Sequence, residues 1–552
     1  MPHGSDPLDD LGHYPRSHPW LGGFDSATLT LAGMVVLWLV WSPPSPDLAA
    51  QAYRVHLFSM DGFSLWDNNW YAGHYLPGYS LLFPALATLV GLQAVGVASV
   101  VLSTLAFRAL AMAHFGARAS RATALFALSA CGDLFIGRLT FALGVAFGVS
   151  SVLAVVNGHR KLTVLLSLAC AAASPVAALF LALVAMTDVL SNRALGRALT
   201  LAGPGLALTL TIAVLFPEGG YETFALTSLA AAAGFSAVLL FVLPARERLL
   251  RRGVALYLVA LGLAYFVRSP MGSNSVRLGV LFVPAIWGGV VGVGEIRLAL
   301  SRAVGWWPLR RATHRDHTAA LGPRLARFLL GGVGLGLVLW QLDGPLLQAV
   351  EASNEPSTQL SYYAPVIRYL DSQSHGAPMR IEEAFTRSHW DAVILGRRFA
   401  LARGWERQLD MKYDGLFYAP ALTASAYHAW LASTAVRFVV LSDAPLDYSS
   451  HQEAALIRRE PSFLRPVFSS AHWRVYEVLG AEPLLSGPGR LSAMDDDGFT
   501  LQARRAGVFV VRVRYTRYWR IASGLGTVGE AQNGWTQVRV DRPGEVVLDA
   551  EL

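Results

Sequence analysis

Along roughly the first 343 residues, apolar runs of roughly 18 to 22 residues recur, each long enough to cross a hydrocarbon core about 30 Å thick. The pattern predicts membrane-spanning helices over 27–41, 92–114, 120–137, 139–156, two segments flanking Ser174-Pro175, 198–216, 222–243, 253–267, 277–294 and 326–342. Residues 81–90 read as a short helix at the membrane face, so about eleven crossings are expected. Pro43, Pro44 and Pro46 stop the first span by removing amide donors.

From about Asp343 the pattern becomes that of a soluble domain. SYYAPVIRYLDSQ has the spacing of an amphipathic helix, AVRFVVLSD and HWRVYEVLG read as strands, and the tail alternates apolar and polar residues between Gly, Asn and Pro turns. The expected fold is a polytopic α-helical membrane protein with a C-terminal extracytoplasmic α/β plus β-sandwich domain. Its expected divisions are a cytoplasmic leader at 1–26, a bundle at 27–343 with an external loop at 43–84, an α/β domain at 344–485 and a β-sandwich-like tail at 486–552.

Composition agrees: 53% of the 552 residues are hydrophobic and 15% charged, with a mean hydropathy of +0.41. The net charge of +7 does not point to nucleic acid, because the placement of Lys and Arg in a membrane protein carries the information. Alternate connections hold Arg118, Arg121, Arg160, Arg193, Arg197, Arg246 to Arg252 and the arginines from Arg297 to Arg327. The other set holds only Arg54, Arg138, Arg268 and Arg277. This places the N-terminus in the cytoplasm of a plasma (inner) membrane protein, with the opening loop and the C-terminal domain outside. The two cysteines, Cys131 and Cys170, lie in apolar runs and suggest no disulfide framework. The first apolar run lacks a small-residue cleavage pattern and reads as a retained span.

The loop from Pro43 to Pro84 mixes carboxylates, histidines and aromatic rings. Asp47, just outside the first span, is placed to draw a proton from an acceptor hydroxyl; its structural alternative is an N-cap for DLAAQAY. For Asp61 and Asp67, turn formation at MDGF and WDNNW is the commoner role. Asp61 and Asp67 do not form a DxD pair, and their spacing leaves a divalent cation, magnesium or manganese, open without specifying one. The run from Trp66 to Tyr79, with Trp70, His74 and Tyr75, reads as a substrate wall, since rings stack on sugar faces. For His74 alone, a structural hydrogen bond is the commoner role. Arg268 and Arg277 flank SPMGSNSV, and with Arg138 they are the candidates to grip a phosphate; snorkelling to the interface is the alternative for each. No Walker loop, dinucleotide fingerprint, GxSxG or HExxH occurs.

With an acidic residue just after the first span, about eleven spans and a C-terminal external domain, the chain resembles the GT-C superfamily of membrane glycosyltransferases. PDLAAQAYRVHLFSMDGFSLWDNNWYAGHYLPGYSLLFP, GRLTFALG and SNSVRLGVLFVP are similar to GT-C-like envelope proteins of actinobacteria. The resemblance implies transfer of a sugar from a lipid-linked, polyprenyl-phosphate donor to a glycan or glycolipid acceptor among membrane lipids. The family's loop acid maps to Asp47, with Asp67 as substitute, and its donor-phosphate arginine to Arg277. The chain departs from the family in lacking a paired acidic motif directly after the first span. A noncatalytic envelope-assembly scaffold and a (glyco)lipid transporter remain as alternatives, although nearly apolar span centres argue against a solute path.

Overall fold

The first helix begins where Asp25 accepts the Thr28 amide at 3.0 Å, a side-chain cap on an otherwise apolar segment. The computed structural model describes residues 25–305 and 323–552; the expected leader, but for its last two residues, lies outside them, as do Arg310, Arg311 and Arg315. Fourteen helices follow in order to Ser353. They are α1 (Ser26–Trp41), α2 (Pro46–Asp61), α3 (Phe83–Val90), α4 (Leu92–Phe115), α5 (Ala119–Ile136), α6 (Leu139–Val156) and α7 (Arg160–Ala173). Next come α8 (Pro175–Asn192), α9 (Leu195–Leu215), α10 (Leu226–Val242), α11 (Arg248–Phe266), α12 (Val276–Val290), α13 (Val293–Gly305) and α14 (Pro323–Ser353).

Every segment expected to span carries a helix, and the short helix expected at 81–90 is α3. Six helical segments among the described residues are long and apolar enough to cross a membrane, or up to eight if each of two bent pairs is one span. Two things make the difference from eleven: α4 and α5 count together as one segment of 45 residues, Leu92–Ile136, and α1, α7, α10 and α12 are short, with 16, 14, 17 and 15 residues. At 1.5 Å per residue, none of these covers about 30 Å unaided.

The chain divides into two units, the first comprising residues up to Pro43, Ser80–Ile212 and Glu222–Ala349. Small residues let its helices approach closely, the usual solution where lipid supplies no hydrophobic drive. A Cβ on Gly144 of α6 would lie 2.7 Å from Ala177 of α8 and 2.8 Å from Ser174 at its N-cap. One end of this unit gathers arginines onto helix C-termini, whose unpaired carbonyls favour cations. Arg121 donates to Gly288 and Val291 at 2.6 and 3.1 Å, Arg251 to Leu240 and Leu243 at 2.9 and 2.7 Å, and Arg252 to Leu190 at 3.0 Å. Several residues of the arginine-rich set of connections therefore occupy one end, capping α8, α10 and α12.

The second unit comprises Pro44–Tyr79, Ala213–Tyr221 and Val350–Leu552. Its strands are β1 (Trp66–Asp67), β2 (His74–Tyr75), β3 (Arg380–Glu383), β4 (Ala400–Leu401), β5 (Val436–Ser442), β6 (Leu464–Ser469) and β7 (Trp473–Val478). Eight more follow: β8 (Leu485–Ser486), β9 (Gly489–Met494), β10 (Gly498–Ala503), β11 (Gly507–Arg514), β12 (Trp519–Ser523), β13 (Gly526–Glu530), β14 (Trp535–Val540) and β15 (Gly544–Ala550). Helices α15 (Leu360–Ser374), α16 (Trp390–Ile394), α17 (Arg407–Tyr413), α18 (Ala424–Ser433) and α19 (His451–Ile457) are interleaved with β3 to β7. A five-stranded sheet has the order β4-β3-β5-β7-β6, parallel among β4, β3 and β5 and antiparallel beyond. Two antiparallel four-stranded sheets, β12-β15-β10-β9 and β13-β14-β11-β8, enclose Phe499, Leu501, Phe509, Val511, Val538 and Leu548.

Residues 44–79 are not a free loop but part of this second unit. Helix α2 buries Ala49, Ala50, Tyr53 and Leu57 in the same core as Tyr363, Val366, Ile381, Leu395 and Phe438. Trp70 donates to the Ala392 carbonyl at 3.0 Å, and a Cβ on Gly404 would lie 2.5 Å from its ring, so only glycine fits there. Trp66 enters the core of the antiparallel sheets with Phe499 and Trp519. Backbone bonds complete the attachment: Asn68 N–H to Asp496 at 2.6 Å, Leu401 N–H to Asn69 at 2.7 Å and Arg514 N–H to Ala72 at 2.7 Å.

Candidate functional site

Asp47 lies in the first turn of α2, after Ser45 at the N-cap position and Pro46 at the first helical position. It is therefore a helical residue rather than the cap. It is half-buried, and Gln51 reaches back to its carbonyl at 3.0 Å. The helix that carries it is held at the same end by Trp390 and Trp405, whose indoles donate to Pro44 and Pro46 at 2.9 Å each.

One turn and more along α2, the β1–β2 hairpin folds its polar residues inward. Asp67 accepts from Tyr53 at 3.2 Å and from the Asn69 amide at 2.9 Å. His74 pairs with Asp67 across the ladder, and its Nδ1 stands 3.7 Å from Asp67 Oδ2. Its Nε2 stands 4.0 Å from Glu406 Oε1, which forms an ion pair with Arg54. The Arg54 guanidinium lies over Tyr79 at 4.0 Å, and the His74 ring is stacked toward Trp70. Arg54 is 4% exposed, Asp67 0% and His74 1%.

Burial sets the protonation of this cluster. Desolvation, with the charge of Asp496, pushes the Asp67 carboxyl well above the usual carboxylate range. Desolvation and then the nearby Arg54 lower His74 to about 3. Burial thus disfavours the charged form of both groups and leaves Arg54 and Glu406 as the ion pair of the cluster, the arrangement a dry interior tolerates. The cluster fastens residues 44–79 into their unit. Trp70, stacked on Tyr53 at 4.1 Å and 0% exposed, presents no open face for a sugar.

Tyr75, the next strand residue, is half-buried and hydrogen-bonds Thr516 through its hydroxyl at 2.9 Å. Its amide donates to Glu218 Oε1, while the Glu218 carbonyl accepts from Lys412. Glu218 Oε2 is buried without a hydrogen-bond partner among the described residues. Burial outweighs the Tyr75 amide and the Lys412 charge and raises the Glu218 carboxyl to about 7, where a group can both take and give a proton.

The predicted arginines belong to the first unit. Arg138 precedes α6 and its amide donates to the Asp133 carbonyl at 2.7 Å. Arg277 is the second residue of α12, half-buried, with its guanidinium over the Phe141 ring at 5.2 Å. Since Phe141 is one turn past Arg138, the starts of α6 and α12 bring these two arginines to one neighbourhood. Arg268 is exposed, in the connection that Glu222 joins by donating its amide to Ser269 at 3.0 Å.

Among the described residues, no group of three or more His, Cys, Asp or Glu is arranged to hold a metal ion. Asp61 is exposed, while Asp67 is closed in by Tyr53 and Asn69. Neither Glu406 nor Glu218 is among the candidate site residues that the sequence suggests. The second was findable, as the acid in PEGGYET between two apolar runs. The first had no local signal, because its partner Arg54 is more than three hundred residues away.

The fold and this site define a multipass helical membrane protein with a mixed and β-rich second unit. No protein-family model and no curated protein matches the sequence. Among solved structures, the chain is similar to the crystal structure of ArnT from Cupriavidus metallidurans in the apo state. The two are 16% identical, with 81% of this chain and 97% of that one covered and a TM-score of 0.42.

Proposed function

We propose that the chain is a membrane glycosyltransferase of the GT-C kind, moving a sugar from a polyprenyl-phosphate donor to an extracytoplasmic acceptor with inversion. The observation that carries this reading is Asp47: a half-buried carboxylate in the first turn of a packed helix that follows an apolar helix and a proline-rich break. The complete burial of Asp67 favours Asp47 over it as the base. Asp47 takes the proton of the acceptor hydroxyl, the hydroxyl oxygen bonds to the anomeric carbon, and the bond from that carbon to the phosphate oxygen breaks. The lipid phosphate leaves with the electron pair, and Arg277 is the residue proposed to bind it.

The test is transfer by the full chain in lipid nanodiscs, supplied with a panel of short-chain polyprenyl-phosphate hexoses and pentoses and membrane-derived acceptors. Asp47→Asn is expected to lose about a hundred- to ten-thousand-fold in rate, with its thermal stability kept. Wild-type turnover by Asp47→Asn removes Asp47 from the role. The burial of Trp70 and His74 also fits a second reading, an envelope-assembly scaffold in which residues 44–79 serve only the fold. That reading is favoured if cells carrying Asp47→Asn and Arg277→Ala keep an intact envelope.

A further inference from the structure

Helices α6, α8, α9, α11 and α12 of the first unit surround a cavity of about 260 Å³. Its walls are aliphatic, with Val152, Val156, Val184, Leu201, Val254 and Ile286 representative. The charged groups that line it, Asp188 and Arg197, cancel through two bonds of 2.7 Å each, with Asn192 on the same carboxylate at 2.8 Å. On the α11 wall the lining runs from Leu249 to Tyr257, a rise of about 12 Å along the helix. Tyr257 closes it there: its hydroxyl donates to Ser275 at 3.0 Å and accepts the Gly279 amide at 3.1 Å. Arg277 is not among the lining residues, although its neighbours Leu278 and Gly279 are.

Water gains little in such a space, since apolar cavities of about 150 Å³ stay dry and take hydrocarbons. Left empty, the lining forfeits its dispersion contacts. The cavity lies in a bundle whose apolar helices belong in a bilayer, and its lining is contributed by five of them. Its ion-paired end coincides with the arginine-rich end of the bundle. Arg193 follows α8 and Arg252 lies between the lining residues Leu250 and Gly253, both exposed and therefore available to an anion.

We propose that this cavity binds one acyl chain of an anionic phospholipid from the leaflet at the arginine-rich end, with the headgroup phosphate against Arg193 and Arg252. It is a lipid site separate from the donor-phosphate role given to Arg277, and it does not depend on that role. The occupant is a bilayer phospholipid because the arginines at this end complement a phosphate while the cavity offers its tail no polar partner.

The experiment uses the full chain in phosphatidylcholine nanodiscs doped with phosphatidylglycerol that carries a photoreactive diazirine at mid-chain. Adducts are expected to concentrate on peptides 152–156, 183–188 and 249–257. Gly253→Leu, whose Cβ would meet Thr187 at 3.4 Å on the cavity wall, is expected to lower them about tenfold. Thr187→Met fills the same space from α8 if Gly253→Leu folds poorly. Arg252→Gln is expected to weaken labelling by phosphatidylglycerol, whose net charge is negative, more than labelling by a zwitterionic phosphatidylcholine probe. The proposal is overturned by labelling spread evenly over exposed faces such as Leu335 and Leu339, or by unchanged labelling in folded filling variants. It is equally overturned if farnesyl phosphate displaces the probe and unlabelled phosphatidylglycerol does not, which would make the cavity a donor site.

Discussion

Replacing Glu218 with glutamine removes a titration while keeping the acceptor that the Tyr75 amide uses. In the folded chain burial raises this carboxyl from its ordinary 4.5 to about 7. Each pKa unit is worth about 1.4 kcal/mol, so ionising Glu218 costs the fold up to about 3 kcal/mol, less whatever solvent screening its partly exposed side chain allows. The sign follows from proton counts. Between pH 4.5 and 7 the folded state holds a proton that the unfolded state has released, so the stabilisation by protonated Glu218 is complete below the lower value. It is lost as pH rises through the upper one. Wild type should therefore lose stability relative to Glu218→Gln from pH 4.5 upward, with the gap levelling off above pH 7. The assay is thermal unfolding of both proteins in nanodiscs at one scan rate from pH 4 to 8.5, because midpoints of large membrane proteins depend on scan rate. A gap of several degrees that opens across this window is expected. A gap that is constant with pH, or that closes as pH rises, would refute the assignment of a buried, protonated Glu218.

Four further outcomes follow from the packing. Trp70→Ala should cost about 3 to 5 kcal/mol by opening a core cavity and stranding the Ala392 carbonyl, read as a fall in unfolding temperature. Gly404→Ala should destabilise by about 1 to 3 kcal/mol or more through overpacking against that ring, and the pair with Trp70→Phe should recover part of it by the same measurement. Arg54→Met should cost about 3 to 5 kcal/mol by leaving Glu406 buried and unpaired, whereas Arg54→Met with Glu406→Leu should be far milder in a double-mutant cycle. Residues 350–552 expressed alone should be poorly soluble, and joining residues 44–79 through a flexible linker should restore a cooperative unfolding transition; equal behaviour of the two would show that the opening segment is dispensable to the unit.

Most of the helical framework was legible in the sequence, because apolar runs bounded by Pro, Gly and Arg leave few alternatives. Leu139–Val156 was anticipated to the residue, and the break at Ser174-Pro175 was visible because proline both ends one helix and opens the next. The clustering of Arg121, Arg251 and Arg252 was visible as a bias among connections, although their bonds to helix carbonyls were not. Span length was less legible: hydropathy does not reveal that α7 stops after 14 residues or that α12 gives way at Val291. The opening segment was the least legible. WDNNWYAGHY offers aromatic rings and polar groups in a mixture that an exposed sugar platform and a folded core both use. What separates them is the partner, and the partners of Trp66, Asn68, Trp70 and Tyr71 lie more than three hundred residues away.

That placement bears directly on Asp47. A carboxylate on an unstructured loop would have to be ordered at every turnover, whereas this one rides on a helix whose opposite features are all fixed. Tyr53 is stacked under Trp70, Arg54 is paired with Glu406, and Trp405 holds the Pro46 carbonyl one residue before the acid. Left-handed backbone at Tyr71 and Ala72, uncommon for residues with a Cβ, is maintained only because the surrounding contacts over-determine it. The buried aromatic and acidic residues are thus better understood as the support of a site than as its walls. Preorganisation of this kind is what a general base needs if its proton is to move without reorganisation. It follows that Trp70→Phe, which keeps the ring but loses the bond to Ala392, should reduce turnover at a temperature where the protein remains folded. Under the proposed function, the KM for the lipid-linked sugar should change less than kcat, since Trp70 is fully buried against Tyr53; a change confined to KM would return Trp70 to the substrate wall.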